Sequence, residues 1–113
     1  MKIVINRCFG GFGLSDEAVR LYAKLAGIAL VEGPKQYGMT HFYVDSVSEE
    51  NYFSYYSIAR DDGFLIEVVE TLGDAADGDC ADLEVVEIPD DVEWQLSQYD
   101  GSEHIAEKHR TWY

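Results

Sequence analysis

Three consecutive β-branched residues, Ile3-Val4-Ile5, running into the glycine cluster Gly10-Gly11-Phe12-Gly13, constrain the fold of this chain more than any other stretch. An apolar run of this kind reads as a strand covered on both faces, which places it inside a layered domain. Three glycines in four positions mark a turn with backbone angles that other residues avoid. Ser15 then offers a helix N-cap, and Asp16 and Glu17 put negative charge in the first turn, where the free amides and the helix dipole favour it. A helix is expected from about Asp16 to Ala26, with Val19, Tyr22, Ala23 and Ala26 as its apolar stripe and Gly27 as its stop.

The remaining elements follow from period and punctuation. Ile28 to Val31 reads as a short strand stopped by Gly33-Pro34, and Met39 to Val44 as another, with Thr40, Phe42 and Val44 on one face. Ser46 to Ser57, which contains Tyr52, Phe53, Tyr55 and Tyr56, has no clear period and reads as irregular. Asp61 and Asp62 open a second helix whose apolar side is Leu65, Val68, Val69 and Leu72 and whose opposite side carries Glu67, Glu70 and Asp74. Leu83 to Ile88 and Glu93 to Tyr99, joined by Pro89-Asp90-Asp91, read as a hairpin. Asp100-Gly101-Ser102 then turns into a short last helix, Glu103 to about His109. The order β-α-β-β-α-β-β-α implies one α+β domain over residues 1–113, about three helices packed on a mixed or antiparallel sheet. A length of 113 residues suffices for one core, and an apolar fraction of 47% exceeds what a disordered acidic chain carries.

Charge divides the chain differently. Residues 1–60 hold six acids and six bases, whereas residues 61–113 hold sixteen acids and two bases, Lys108 and Arg110. From Asp61 through Glu107 there is no lysine or arginine, so the second half supplies the whole net charge of −14. A magnitude of about 2 to 8 normally keeps a small domain soluble. Solvation is the plain reading of the excess. The sharper one is a surface that attracts lysines and arginines and occupies a basic groove built for nucleic acid. The residues assigned to that surface are Glu67, Glu70, Asp74, Asp90, Asp91 and Glu93, with Trp94 or the Tyr52 to Tyr56 cluster as apolar anchors.

The first strand, glycine turn and helix start also resemble a generic anion site, built from Arg7, Gly10, Gly11, Gly13 and Ser15, with Lys108 or Arg110 as further phosphate partners. The spacing matches neither the dinucleotide fingerprint nor the P-loop, and Asp16 and Glu17 would oppose a phosphate. A tight strand-to-helix connection explains the same glycines. His104 and Glu107, three apart on the expected last helix, lack a third ligand, and Asp74, Asp77, Asp79 and Asp82 miss the register of a calcium loop, so no metal or cofactor is assigned. No nucleophile elbow and no cysteine–histidine context occurs, and no catalytic residue is assigned. Cys8 and Cys80 read as reduced, small buried side chains. Arg7 interrupts the opening before a secretory apolar region develops, and the longest apolar run, Leu25 to Val31, is far below the ~20 residues that cross a bilayer. The expectation is a soluble cytoplasmic protein with no membrane contact. Without a basic groove beside its aromatic residues, direct nucleic-acid binding is not expected either.

The opening Asn6-Arg7-Cys8-Phe9-Gly10-Gly11-Phe12-Gly13-Leu14-Ser15 resembles that of a group of small bacteriophage and prophage proteins with no assigned activity. The stretch Ala81 to Trp94, then Tyr99-Asp100-Gly101 and Glu107-Lys108-His109-Arg110-Thr111-Trp112, is similar to them as well. The resemblance covers both ends and leaves the middle unmatched. It implies a viral source, acting in an infected bacterial host, and transfers no site residue. Two functions are therefore expected in turn: a non-enzymatic counter-defence inhibitor that binds a basic surface of a host nucleic-acid-handling protein, or a protein that sequesters a nucleotide at the glycine turn. In the second, a homo-oligomer would gather basic groups from several copies.

Overall fold

The computed structural model describes residues 1–35 and 38–107. Strand β1 (Lys2–Asn6) is buried at every position from Ile3 to Asn6, as a strand apolar on both faces requires. It pairs antiparallel with β5 (Leu83–Glu87), Ile3 opposite Val86 and Ile5 opposite Glu84. Val4 faces a core shared by helices α1 (Asp16–Ala26) and α2 (Gly63–Leu72), which pack against each other. Helix α1 buries Ala18, Val19, Tyr22 and Ala23; Ser15 caps it by accepting from the Ala18 amide, and Gly27 closes it at φ 73°. Helix α2 buries Leu65, Val68 and Val69. Its N-cap, Asp62, accepts from the Phe64 and Leu65 amides with one carboxylate oxygen and from the Tyr22 hydroxyl with the other, at 3.0 Å, so the cap also ties the two helices together.

The middle of the chain forms a three-stranded antiparallel sheet of β2 (Leu30–Glu32), β3 (Phe42–Val44) and β4 (Tyr52–Phe53). The segment that looked irregular holds β4 between two single 3₁₀ turns, Glu49–Asn51 and Tyr55–Ser57.

The C-terminal third departs from expectation. The described part of the expected last helix is strand β7 (Ser102–Glu107), paired along its length with β6 (Trp94–Tyr99). Asp100 and Gly101 both take positive φ, 49° and 89°, the angles of a two-residue hairpin loop whose twist suits the flanking strands. Glu103 and Ile105 then turn inward while His104 faces out, a period of two. The protein is thus α+β, with two α-helices among the described residues rather than about three, and with antiparallel sheets there. The expected pairing of Leu83–Ile88 with Glu93–Tyr99 does not form, because β1, buried from Ile3 to Asn6, takes β5 as its hydrogen-bonding partner and leaves β6 to β7. Helix α2 also ends earlier than its charge pattern suggested. Gly73 breaks it at φ 56°, ψ −129°, and Asp74 lies in a separate 3₁₀ turn, Gly73–Ala76, off the face that Glu67 and Glu70 share. Cys8 and Cys80 are exposed free thiols rather than buried ones. Among the described residues no helix is long and apolar enough to cross a membrane.

Candidate functional site

Two of the predicted acidic residues, Glu70 and Asp90, meet at the start of β1. The terminal ammonium of Met1 pairs with Asp90 and donates to the Ile88 carbonyl, while the next residue, Lys2, reaches Glu70 at 3.0 Å and lies opposite Glu87 in the β1–β5 register. The ammonium holds the Asp90 carboxyl below the ordinary carboxylate range. Glu67 and Glu70, three apart on α2, repel each other by a few tenths of a kcal/mol, and Lys2 offsets that cost. Asp91 and Glu93 are exposed in the connection from β5 to β6, and Asp74 is exposed on the 3₁₀ turn beyond α2. Trp94, assigned with the Tyr52 to Tyr56 cluster as an apolar anchor, is half-buried at the first position of β6.

The glycine turn and the aromatic segment, two features far apart in sequence, line one pocket of about 470 Å³. Gly10 to Ser15 form one wall, and Tyr52, Tyr55 and Tyr56 another. Met39, Tyr52 and Tyr56 at this pocket are 61%, 52% and 71% exposed, a cluster of large apolar surface of the kind that marks a binding site. The lining carboxylates are Asp16, Asp77 and Asp79, and among the described lining residues there is no lysine or arginine. The Tyr55 hydroxyl packs near Gly13. Burial first, then its neighbour Tyr56 and the charges of Tyr56, Tyr52 and Asp79, push that hydroxyl up to about 12, so Tyr55 is a neutral phenol at physiological pH.

This geometry bears on the anion-site assignment. The Gly10 amide donates to the Asp100 carbonyl, the Ser15 amide to the Ala76 carbonyl, and the Arg7 amide to the Asp82 carbonyl, so these donors are already engaged. Ser15 Oγ caps α1 and donates to the Ala75 carbonyl at 2.6 Å. The Arg7 guanidinium is exposed, 3.8 Å from Glu84, and does not line the pocket. A Cβ built on Gly10 would lie 2.7 Å from that of Cys80, which supplies a packing reason for glycine there. Lys108 and Arg110 lie outside the described residues, as does His109. His104 and Glu107, three apart on a strand, point to opposite faces of the hairpin. Among the described residues no three histidine, cysteine or acidic side chains are placed to hold a metal ion.

Sequence reasoning missed the polar cluster that holds the hairpin. Glu103, 8% exposed, binds the Arg60 guanidinium through both oxygens, at 2.5 and 2.8 Å, and accepts from the Asn6 amide at 2.8 Å. Arg60 in turn lies 3.8 Å over the ring of Phe12. Asn6, fully buried, donates to the carbonyls of Cys8 and Gly101 and accepts from the amides of Cys8 and Asp82, so its side chain is saturated. Arg60 closes the neutral half, and only its position before the acidic run sets it apart in the sequence.

Comparison with protein-family models, with curated proteins and with solved structures finds no match.

Proposed function

We propose that this chain is a non-enzymatic binding protein that docks on a basic surface of a nucleic-acid-handling protein. The observation that carries the reading is the exposure of its charge. Thirteen of the sixteen carboxylates between Asp61 and Glu107 are exposed, and of the sixteen only Glu70, Glu84, Asp90 and Glu103 make ion pairs among the described residues. A field of one sign at this density attracts the lysines and arginines that otherwise hold phosphates, and it speeds encounter in a salt-sensitive way. The acids around the start of β1, together with Glu67, Asp74, Asp91 and Glu93, form the docking surface. The resemblance of both chain ends to small phage proteins supports a viral setting, in which such docking makes the protein a counter-defence inhibitor. Reversing Glu67, Glu70 and Asp74 to lysine tests it. Capture of nucleic-acid-binding proteins from a bacterial lysate, displaced by added DNA and by high salt, is expected for the native chain and lost in the variant. Capture that survives charge reversal unchanged would sink the idea.

A further inference from the structure

We infer that the pocket between the glycine turn and the tyrosine cluster is a receptor for a guanidinium group, the side chain of an arginine presented by the basic partner. The inference rests on the docking reading for the identity of that partner, and on the pocket alone for its chemistry.

The pocket combines features that select a planar cation. Its exposed aromatic surface comes from Tyr52 and Tyr56, and a cation held over the face of such a ring is attracted by the ring quadrupole. The charged groups among its described lining residues are carboxylates, of which Asp16 and Asp79 are exposed while Asp77 is half-buried. A guanidinium is planar, stacks on aromatic rings and forks onto a carboxylate, whereas an ammonium is compact and more strongly hydrated. A phosphate finds no cation among the described lining residues, and the lining carboxylates repel it.

The chain already uses this recognition twice. Arg60 sits over Phe12 and forks onto Glu103; Arg20 sits 5.9 Å over Phe42 and reaches Glu32 through two of its nitrogens. Phe12 and Phe42 both line the pocket. Their rings are engaged by the protein's own arginines, while Tyr52 and Tyr56 stay exposed at the same site.

Titrating the full chain with N-acetyl-arginine methylamide, its lysine counterpart and AMP, and following the tyrosine ring resonances, tests the assignment. The arginine probe is expected to saturate and to shift Tyr52, Tyr55 and Tyr56, with the lysine probe weaker. Tyr56→Ala and Asp79→Asn, both at exposed positions that leave the core intact, each weaken the arginine probe about two- to five-fold, as loss of one exposed cation–π contact or ion pair predicts. Arginine and lysine probes that bind alike, tyrosine resonances that stay in place as the arginine probe is added, or AMP saturating the tyrosines in place of arginine would each overturn it. If the arginine probe fails while salt-sensitive capture of a basic protein persists, the pocket assignment falls and the docking surface stands. If the probe saturates with no partner captured, the pocket stands without that surface.

Discussion

Removal of the Glu103 carboxylate is the perturbation whose cost can be worked most directly. Glu103→Ala strips the Arg60 guanidinium of both its short hydrogen bonds and leaves the buried Asn6 amide without an acceptor. Breaking a buried ion pair on one side costs about 3–5 kcal/mol, because the remaining charge stays desolvated and uncompensated. Here the Arg60 side chain is 16% exposed and keeps Phe12 at 3.8 Å, so it recovers some hydration and its ring contact. The lower end, about 3 kcal/mol, is therefore expected. At about 4 °C per kcal/mol for a domain of this size, Tm falls by roughly 12 °C. Thermal and urea unfolding measure the loss, and amide exchange locates it: protection should fall first in β6 and β7, since Glu103 and Asn6 tie that hairpin to β1. Replacing both partners, Arg60→Met with Glu103→Leu, should cost less than Glu103→Ala alone, because no buried charge is left unpaired. A single variant that loses under about 1 kcal/mol, or a double variant worse than the single, refutes the uncompensated-charge account.

Two further outcomes are expected from groups around the pocket. The Tyr55 hydroxyl titrates at about 12 in the folded chain, above the ordinary tyrosine value. Its contribution to stability is therefore complete below the unfolded value of about 10 and is lost as pH rises through about 12, and Tyr55→Phe should flatten the stability profile in that window; an unchanged alkaline profile in the variant counts against the assignment. Gly101→Ala forces a side chain into φ 89° and sets its Cβ 2.2 Å from the Gly11 amide nitrogen, so a loss of at least about 2 kcal/mol in urea unfolding is expected, and a neutral result would show that the hairpin tip does not press on the glycine turn as described.

Local signals were legible where the chemistry is local. Ser15 and Gly27 bound α1, Asp62 caps α2, and the Ile3–Ile5 run gave a buried strand, because caps and two-faced apolar runs act over a few residues. The final hairpin was misread although its strongest marker was present. Asp100-Gly101 is a preferred loop for two-residue hairpins, and the alternation of Glu103 and Ile105 against His104 was masked by a carboxylate on the buried side. An inward glutamate reads as polar until its partner is known, and that partner, Arg60, is 43 residues away. The pocket was hidden for the same reason. Neither the glycine turn nor the Tyr52 to Tyr56 segment carries a local signal that points to the other, and only the tertiary fold brings them to one pocket.

Folding also redraws the charge map. In sequence the first half is balanced and the second carries the excess, yet the cations of the first half reach across to the second. The Met1 ammonium, Lys2, Arg7 and Arg60 pair with Asp90, Glu70, Glu84 and Glu103. Those contacts use much of the positive charge that balanced the first half, where Arg20 alone makes an ion pair with an acid of its own half among the described residues. Asp16, Asp45, Glu49 and Glu50 are left exposed with no ion pair among the described residues. The negative field therefore extends beyond the second half to the mouth of the pocket, where Asp16 of the first half and Asp79 of the second line one site. A basic partner drawn to that field meets the tyrosines within it. Charge reversal at Glu67, Glu70 and Asp74 should accordingly slow association and reduce its salt dependence, whereas Tyr56→Ala should leave the association rate unchanged and speed dissociation, because long-range fields govern encounter and short-range contacts govern residence. Identical effects of the two variants on both rates would mean that one surface, and not two, carries the binding.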